Sequence, residues 1–185
     1  MRMTQEPWTS RTPGAAGLEL VRLPPAVLAA LADGDLDAAL AGPALPLTTY
    51  LAGPECAGVW RMRREQIARS PADEAWVTRL VVETAAGQVV GRAGYHGPPD
   101  GAGMVEVGYS IDPEHRRRGY ARGALVILLE TARDHPGVAV VRASVRPDNT
   151  ASRRLLDQYG FQAMGEQWDD EDGWETVLEV SGTAS

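Results

Sequence analysis

The sequence contains no lysine; all 18 of its basic residues are arginines, against 25 acidic ones, for a formal charge of −7 over 185 residues. That absence removes Schiff-base chemistry, the P-loop lysine and any lysine general base. The acidic balance excludes a surface that coats nucleic acid, because such binding rests on clustered basic side chains neutralising phosphates. A single cysteine, Cys56, allows neither an internal disulfide nor a multi-thiolate metal site, and no base at a recognisable spacing makes it a nucleophile. The three histidines, His96, His115 and His135, are isolated in sequence, and no spacing among them and the carboxylates resembles a metal site, so none is expected. No apolar run approaches the ~20 residues that cross a bilayer, and the first 17 residues lack an apolar signal stretch, so the expectation is a cytoplasmic protein without a membrane partner.

What is present suits one domain. The length falls within the roughly 100–200 residues of a single unit, and 44% of the residues are hydrophobic. Residues 1–17 mix Pro, Gly, Thr and Ser without periodicity and read as a mobile tail, in which Trp8 could equally dock on the domain. The domain spans 18–181, and 182–185 form a C-terminal tail. Residues 18–23 alternate like a half-buried strand, Pro24-Pro25 opens a helical run through Ala32, and 36–40 form a short helix. Residues 42–46 are loop, and 59–69 are helical up to Ser70-Pro71.

Residues 76–83, 88–95 and 104–111 are β-rich runs separated by turn residues, an antiparallel meander. After Asp112-Pro113 the period changes, and Ala121, Leu125, Leu128 and Ala132 mark one face of a long helix ending near His135-Pro136. The continuous run 138–144 reads as a fully buried strand, so strand–helix–strand implies a right-handed parallel crossover. Asn149 caps a further helix with Ala151, Leu155, Leu156 and Tyr159 on its apolar side and Gly160 after its end. Residues 161–168 and 174–180 flank an acidic turn as a hairpin. The fold class is α/β: a mixed central sheet, antiparallel first and parallel in the middle, with helices on both faces.

The densest signal is Glu114-His115-Arg116-Arg117-Arg118-Gly119-Tyr120-Ala121-Arg122-Gly123, at a strand-to-helix junction in an otherwise acidic chain. Free amides at a helix start, its positive dipole end and glycines that permit close approach favour a phosphate or pyrophosphate, and arginine adds charge-assisted hydrogen bonds. A solvated basic turn is the plainer alternative.

Arg116-x-x-Gly119-x-Ala121 matches the Q/R-x-x-G-x-G/A signature of the Gcn5-related N-acetyltransferases. Residues 106–113 resemble the strand that leads into that loop, and Asn149-x-x-Ser152 followed by Tyr159-Gly160-Phe161 resembles the next helix and strand. Over roughly 76–180 the chain is thus similar to the branch that includes the ribosomal-protein N-terminal acetyltransferases. The resemblance implies an acetyl-CoA-dependent transfer to a primary amine, with Arg116, Arg117, Arg118, Gly119, Tyr120 and Ala121 around the pyrophosphate. It also implies that Ser110 and Ile111 pair with the pantetheine arm between two splayed strands, and that Asn149 contacts the same arm or is only a helix cap. The acceptor stays open among a protein N-terminus, an antibiotic and a metabolite amine, and the fold's exposed edge strands are compatible with a homodimer.

Direct transfer needs a base for the amine and a proton for the departing thiolate. Glu106 is the first candidate base: Val105, Val107 and Tyr109 share one face of the strand, which puts Glu106 on the other with Gly108. A surface carboxylate is the alternative. Family members commonly carry a tyrosine as the acid where this chain has Leu156, so Ser152 becomes the candidate donor, with an unassisted thiolate as the other choice. Asp169-Asp170-Glu171-Asp172 between Trp168 and Trp174 either attracts a cationic amine or is a solvated turn, and Glu171 is the reserve base. An acyl-CoA-binding regulatory module without turnover is the second functional reading, prompted by the missing tyrosine.

Overall fold

The computed structural model describes residues 6–41, 46–170 and 173–183. The tail residues 1–5 and 184–185, most of the expected loop 42–46 and Glu171 and Asp172 of the acidic turn lie outside the described residues. In chain order the elements are β1 (Trp8–Thr9), β2 (Leu18–Val21), α1 (Pro25–Asp33), α2 (Leu36–Ala41), α3 (Thr49–Ala52) and α4 (Pro54–Arg69), then β3 (Arg79–Glu83), β4 (Gln88–Tyr95) and β5 (Met104–Ile111). They continue with α5 (Tyr120–Arg133), β6 (Val140–Val145), α6 (Thr150–Gln158), β7 (Gln162–Asp169) and β8 (Gly173–Ser181).

All eight strands join one sheet in the order β1-β2-β3-β4-β5-β6-β8-β7. Pairing is antiparallel from β1 to β5, parallel between β5 and β6, and antiparallel again through β8 and β7. Alternation along the strands sends two sets of side chains to opposite faces. On one, Ala93, Val105, Val107 and Val141 pack with Leu125, Leu128 and Leu129 of α5 and Leu156 of α6. On the other, Leu80, Val82 and Val89 pack with Leu31, Leu51 and Trp60 from α1, α3 and α4.

The structure corrects the expected mobile tail over 1–17. From Trp8 onward the segment belongs to the domain: Trp8 pairs with Leu20, is buried, and lies 5.4 Å from the Tyr95 ring. The guanidinium of Arg79, fully buried, stacks 3.6 Å over the Trp8 ring and donates to the Glu6, Leu20 and Ala75 carbonyls. Burial drives the Arg79 pKa down to about 9. Residues 12–17 then cross α5, with the Thr12 hydroxyl donating to Glu130 at 2.6 Å. A Cβ on Gly123 would lie 3.0 Å from the Gly14 carbonyl and 3.4 Å from the Ala15 Cα, so the bare glycine lets the crossing pack closely on α5. The segment's composition carries no trace of this, because one indole supplies the anchor.

Two strands also differ from the sequence reading. The segment 76–78 is not part of β3: it crosses the end of β4, where Val77 bridges Tyr95 in parallel, and the bare Gly94 lets the Thr78 backbone approach. β6 is not buried throughout but alternates, with Val141, Ala143 and Val145 inward and Arg142 and Ser144 on the other face. Arg142 is tied there by Glu179 at 2.6 Å.

Candidate functional site

β5 and β6 pair only at Met104↔Val140, Val105↔Val141 and Glu106↔Arg142. Farther along, β5 stays with β4 as far as Gly91↔Ile111 and β6 with β8 as far as Val145↔Thr176. A cleft therefore opens between residues 107–111 and 143–145. The His96 N–H donates to the Glu106 carbonyl at 2.8 Å and the Asp112 N–H to the Val90 carbonyl at 3.0 Å. By the alternation of an antiparallel ladder, the main-chain groups of Tyr109 and Ile111 point the other way, into the cleft, whereas those of Ser110 face β4 and not the pantetheine arm expected beside them. That edge can accept an extended chain as an added strand.

At the end of the cleft the chain passes through a short turn, Pro113–His115, held by the Asp112 carboxylate, which accepts the Glu114 N–H at 2.9 Å. Arg116 folds back, its Nε donating to the Ile111 carbonyl at 3.0 Å, so this side chain fixes the loop to the strand. Arg117 adopts φ +65° and Gly119 φ +87°, and nothing would lie within 4 Å of a Cβ at Gly119. Gly119 caps α5 without any side-chain hydrogen bond to the first amides. Arg117 and Arg118 are exposed and make no hydrogen bond or ion pair with the described residues. Open amides, two free guanidiniums and a strand edge beside them fit the pyrophosphate and extended arm of a coenzyme A thioester.

Asn149 Oδ1 accepts the Ser152 N–H at 3.1 Å, so the side chain does cap α6. Ser152 stands beside the phenol of Tyr109, whose hydroxyl is buried without a hydrogen bond of good geometry. Burial raises the Tyr109 pKa and keeps it protonated at neutral pH. The sequence shows Tyr109 only as a position on the face shared with Val105 and Val107. Leu156 is fully buried and Tyr159 packs against the same core.

On the face toward α3 and α4, β5 presents Glu106, Gly108 and Ser110, paired across from His96, Gly94 and Arg92 of the preceding strand and its end. Glu106 is largely shielded, its side chain 19% exposed. One oxygen accepts from the Ser144 hydroxyl at 2.6 Å, and Ser144 in turn accepts from Gln167 Nε2 at 3.0 Å. The other oxygen faces His96 Nδ1 at 3.8 Å. His96 is therefore not isolated; its ring lies over Gly108, where a Cβ would meet Nε2 at 2.9 Å. Burial lowers the His96 pKa; Glu106 and Asp169 oppose this, while Arg63 and Arg92 add to it. The balance favours the neutral ring. The Tyr50 hydroxyl and Ser110 Oγ lie 2.7 Å apart, which ties α3 to the far end of the same row.

Sequence reasoning missed His96, Ser144, Gln167, Tyr50, Arg63 and Arg92, because they lie on separate segments and meet only through the sheet. Of the acidic hairpin, Asp169 is close enough to act on His96, whereas Glu171, the reserve base, lies outside the described residues. Trp168 and Trp174 are exposed and stack edge-on against each other at 5.7 Å instead of flanking a pocket. A hollow of about 240 Å³ between α1 and α4 includes Arg63 in its lining but neither Glu106 nor His96. Among the described residues no three His, Cys, Asp or Glu side chains could hold a metal ion, and no helix is long and apolar enough to cross a membrane.

A mixed sheet whose central parallel pair splays over a basic, glycine-containing helix start defines an α/β transferase fold. Residues 27–162 match the acetyltransferase (GNAT) domain, and the chain belongs to that family. It is 30% identical over 98 residues to the uncharacterized N-acetyltransferase YjdG of Bacillus subtilis, a match covering 53% of this chain and 58% of that protein. The chain thus spans little more than half the length of this curated relative. Among solved structures, the ribosomal-protein-S5-alanine acetyltransferase of Vibrio fischeri superposes with a TM-score of 0.62 at 17% identity, covering 90% of this chain and 93% of that one. RimJ of Mycobacterium smegmatis, in complex with CoA-disulfide, gives 0.62 at 19% identity, covering 95% and 86%. These two share the fold.

Proposed function

We propose that the chain is an acetyl-CoA-dependent N-acetyltransferase that transfers the acetyl group directly to a primary amine in a ternary complex. The observation that carries this reading is the pairing of β5 with β6 that stops at Glu106↔Arg142, which leaves a strand edge open next to the loop of Arg116 to Ala121. When bound, acetyl-CoA supplies an acetyl thioester already activated toward an amine. Arg117, Arg118 and the first amides of α5 hold the pyrophosphate; the edge at Tyr109 and Ile111 aligns the pantetheine, and the Ile111 N–H donates where negative charge develops on the carbonyl.

Glu106 takes the amine proton. Its orientation is set by Ser144 and Gln167, and neutral His96 lies close enough to share that proton without first competing as a cation. Ser152, backed by the protonated Tyr109, donates to the leaving thiolate in place of the helix tyrosine. Asn149 holds α6 in register, and its amide nitrogen is left to face the cofactor arm. Release of free thiol from acetyl-CoA with a panel of amines tests the reading; tight acetyl-CoA binding without turnover on any amine would favour the binding-module alternative, to which the buried Leu156 at the tyrosine position points.

A further inference from the structure

One side chain on the α4 face of the sheet is left unsatisfied. Arg92 pairs across from Ser110 on β5, so it lies on the face that carries Glu106 four residues earlier. Its Nε is buried with no hydrogen-bond partner, and the side chain has neither a hydrogen bond nor an ion pair among the described residues. The neighbouring guanidinium differs. Arg63 donates to the Thr78 hydroxyl at 3.2 Å, to Gln66 Oε1 at 2.7 Å and to the His96 carbonyl at 3.2 Å. Arg63 and Arg92 repel each other: desolvation and then Arg92 bring the Arg63 pKa down to about 10, with Asp73 and Glu106 opposing. Both cations also act on His96, so Arg92 lies within electrostatic reach of the ring beside the base.

A shielded guanidinium beside a second one, with a buried N–H left open, is costly unless an anion completes it. Among the described residues no carboxylate does so: Glu106 is committed to Ser144 and His96, and Asp73 accepts from Gln66 and Ser70. The missing anion must therefore come with the ligand. We propose that the acceptor is an amine carrying a carboxylate, with Arg92 binding the carboxylate while Glu106 and His96 receive the amine. This rests on the transferase reading above and adds the acceptor's class to it. The guanidinium fork matches a carboxylate in two parallel hydrogen bonds. Asp169 and Glu106 meet the ammonium end of such a zwitterion, so opposite charges of the pocket face opposite ends of the ligand.

Matched pairs test the proposal on the wild-type protein: glycine, β-alanine and 4-aminobutyrate against their carboxamides, and a short peptide beginning Ala-Asp against one beginning Ala-Asn. At saturating acetyl-CoA, kcat/KM should favour the carboxylate member by roughly ten- to a hundred-fold, the range of a hydrogen bond to a charged group. Preference among the free amino acids or in the peptide pair tells which source is used. Arg92→Gln should reduce the carboxylates to the level of their carboxamides with the acetyl-CoA Kd unchanged, and Arg92→Lys should restore part of the preference. Equal use of both members by the wild type, or a preference that survives Arg92→Gln, overturns the carboxylate assignment and leaves the transferase reading intact. If no amine is acetylated, the transferase reading fails instead. Calorimetric binding of the same pairs to the CoA-loaded protein then decides: tighter carboxylate binding lost in Arg92→Gln supports the role of Arg92, and equal binding refutes it.

Discussion

The cleft beside α5 and the cluster around Glu106 are made in opposite ways. The first is nearly contiguous: β5, its turn and the start of α5 occupy residues 104–123, and its chemistry lies in main-chain amides, dihedral angles and the neighbouring guanidiniums of Arg117 and Arg118. The second gathers Tyr50, Arg63, Arg92, His96, Glu106, Ser144, Gln167 and Asp169 from α3, α4, β4 and its end, β5, β6 and β7. A contiguous site can be specified by a short motif, because local spacing fixes the backbone that binds a constant cofactor. A site assembled across the sheet has no spacing to read, and each contributing segment can change independently. A transferase that keeps its donor and varies its acceptor would be built in this manner.

The sharpest way to separate the two is Glu106→Gln. If the carboxylate serves only the acceptor side, turnover should fall by roughly 10²–10⁴-fold, the usual span for loss of a general base, while the acetyl-CoA Kd stays within about two-fold. Steady-state rates with calorimetry read both. A comparable loss of acetyl-CoA affinity would mean that the two halves are not independent.

The second test removes the anchor behind the cofactor side. Trp8→Ala deletes the indole that covers Arg79 and stacks on Tyr95, and should cost about 3–5 kcal/mol in chemical denaturation, the range for truncating a buried large aromatic. Arg79 then loses its cover but keeps its carbonyl partners, so the variant should fold. The 12–17 crossing braces α5, so the surviving folded protein should show a weaker acetyl-CoA affinity and an unchanged acceptor KM.

The third targets the loop itself. Gly119 sits at φ +87° with open space around it, so Gly119→Val creates no clash and acts through backbone strain of about 1–3 kcal/mol. If relief of that strain turns the α5 amides away, acetyl-CoA should bind roughly ten-fold more weakly with thermal stability little altered. Unchanged affinity would count against the pyrophosphate loop.

The same contrast explains what could be read in advance. β4 and β5 appear with the boundaries that their alternation indicates, and the Arg116 to Ala121 loop lies where strand gives way to helix. The face that Glu106 occupies is legible because alternation in one strand is local information. His96 looked isolated because its neighbour, Glu106, is bonded to it across a strand pair that only the folded sheet creates. Whether Trp8 lies in a tail or docks on the domain is not legible, because nothing nearby in sequence tells an indole that Tyr95 and Arg79 will cover it. Arg142 broke the run that read as a buried strand, and its partner Glu179 lies 37 residues away.

The smallest effect gives the finest discrimination. Asp169 acts on His96, whereas Asp170, its exposed neighbour on the same hairpin, does not figure among the charges that do. Asp169 raises the His96 pKa against burial and the two arginines, so Asp169→Asn should let it fall further. The imidazole titration followed by NMR should then move to lower pH, and the acid limb of kcat should move the same way, because the neutral ring persists to lower pH. Acceptor KM should rise by a few-fold at low salt and converge with the wild type as salt shortens the Debye length below roughly 8 Å. Asp170→Asn should do none of this. If both substitutions shift His96 equally, the hairpin contributes a diffuse field and not a placed charge, and recognition of the amine then rests on Glu106, His96 and Arg92 alone.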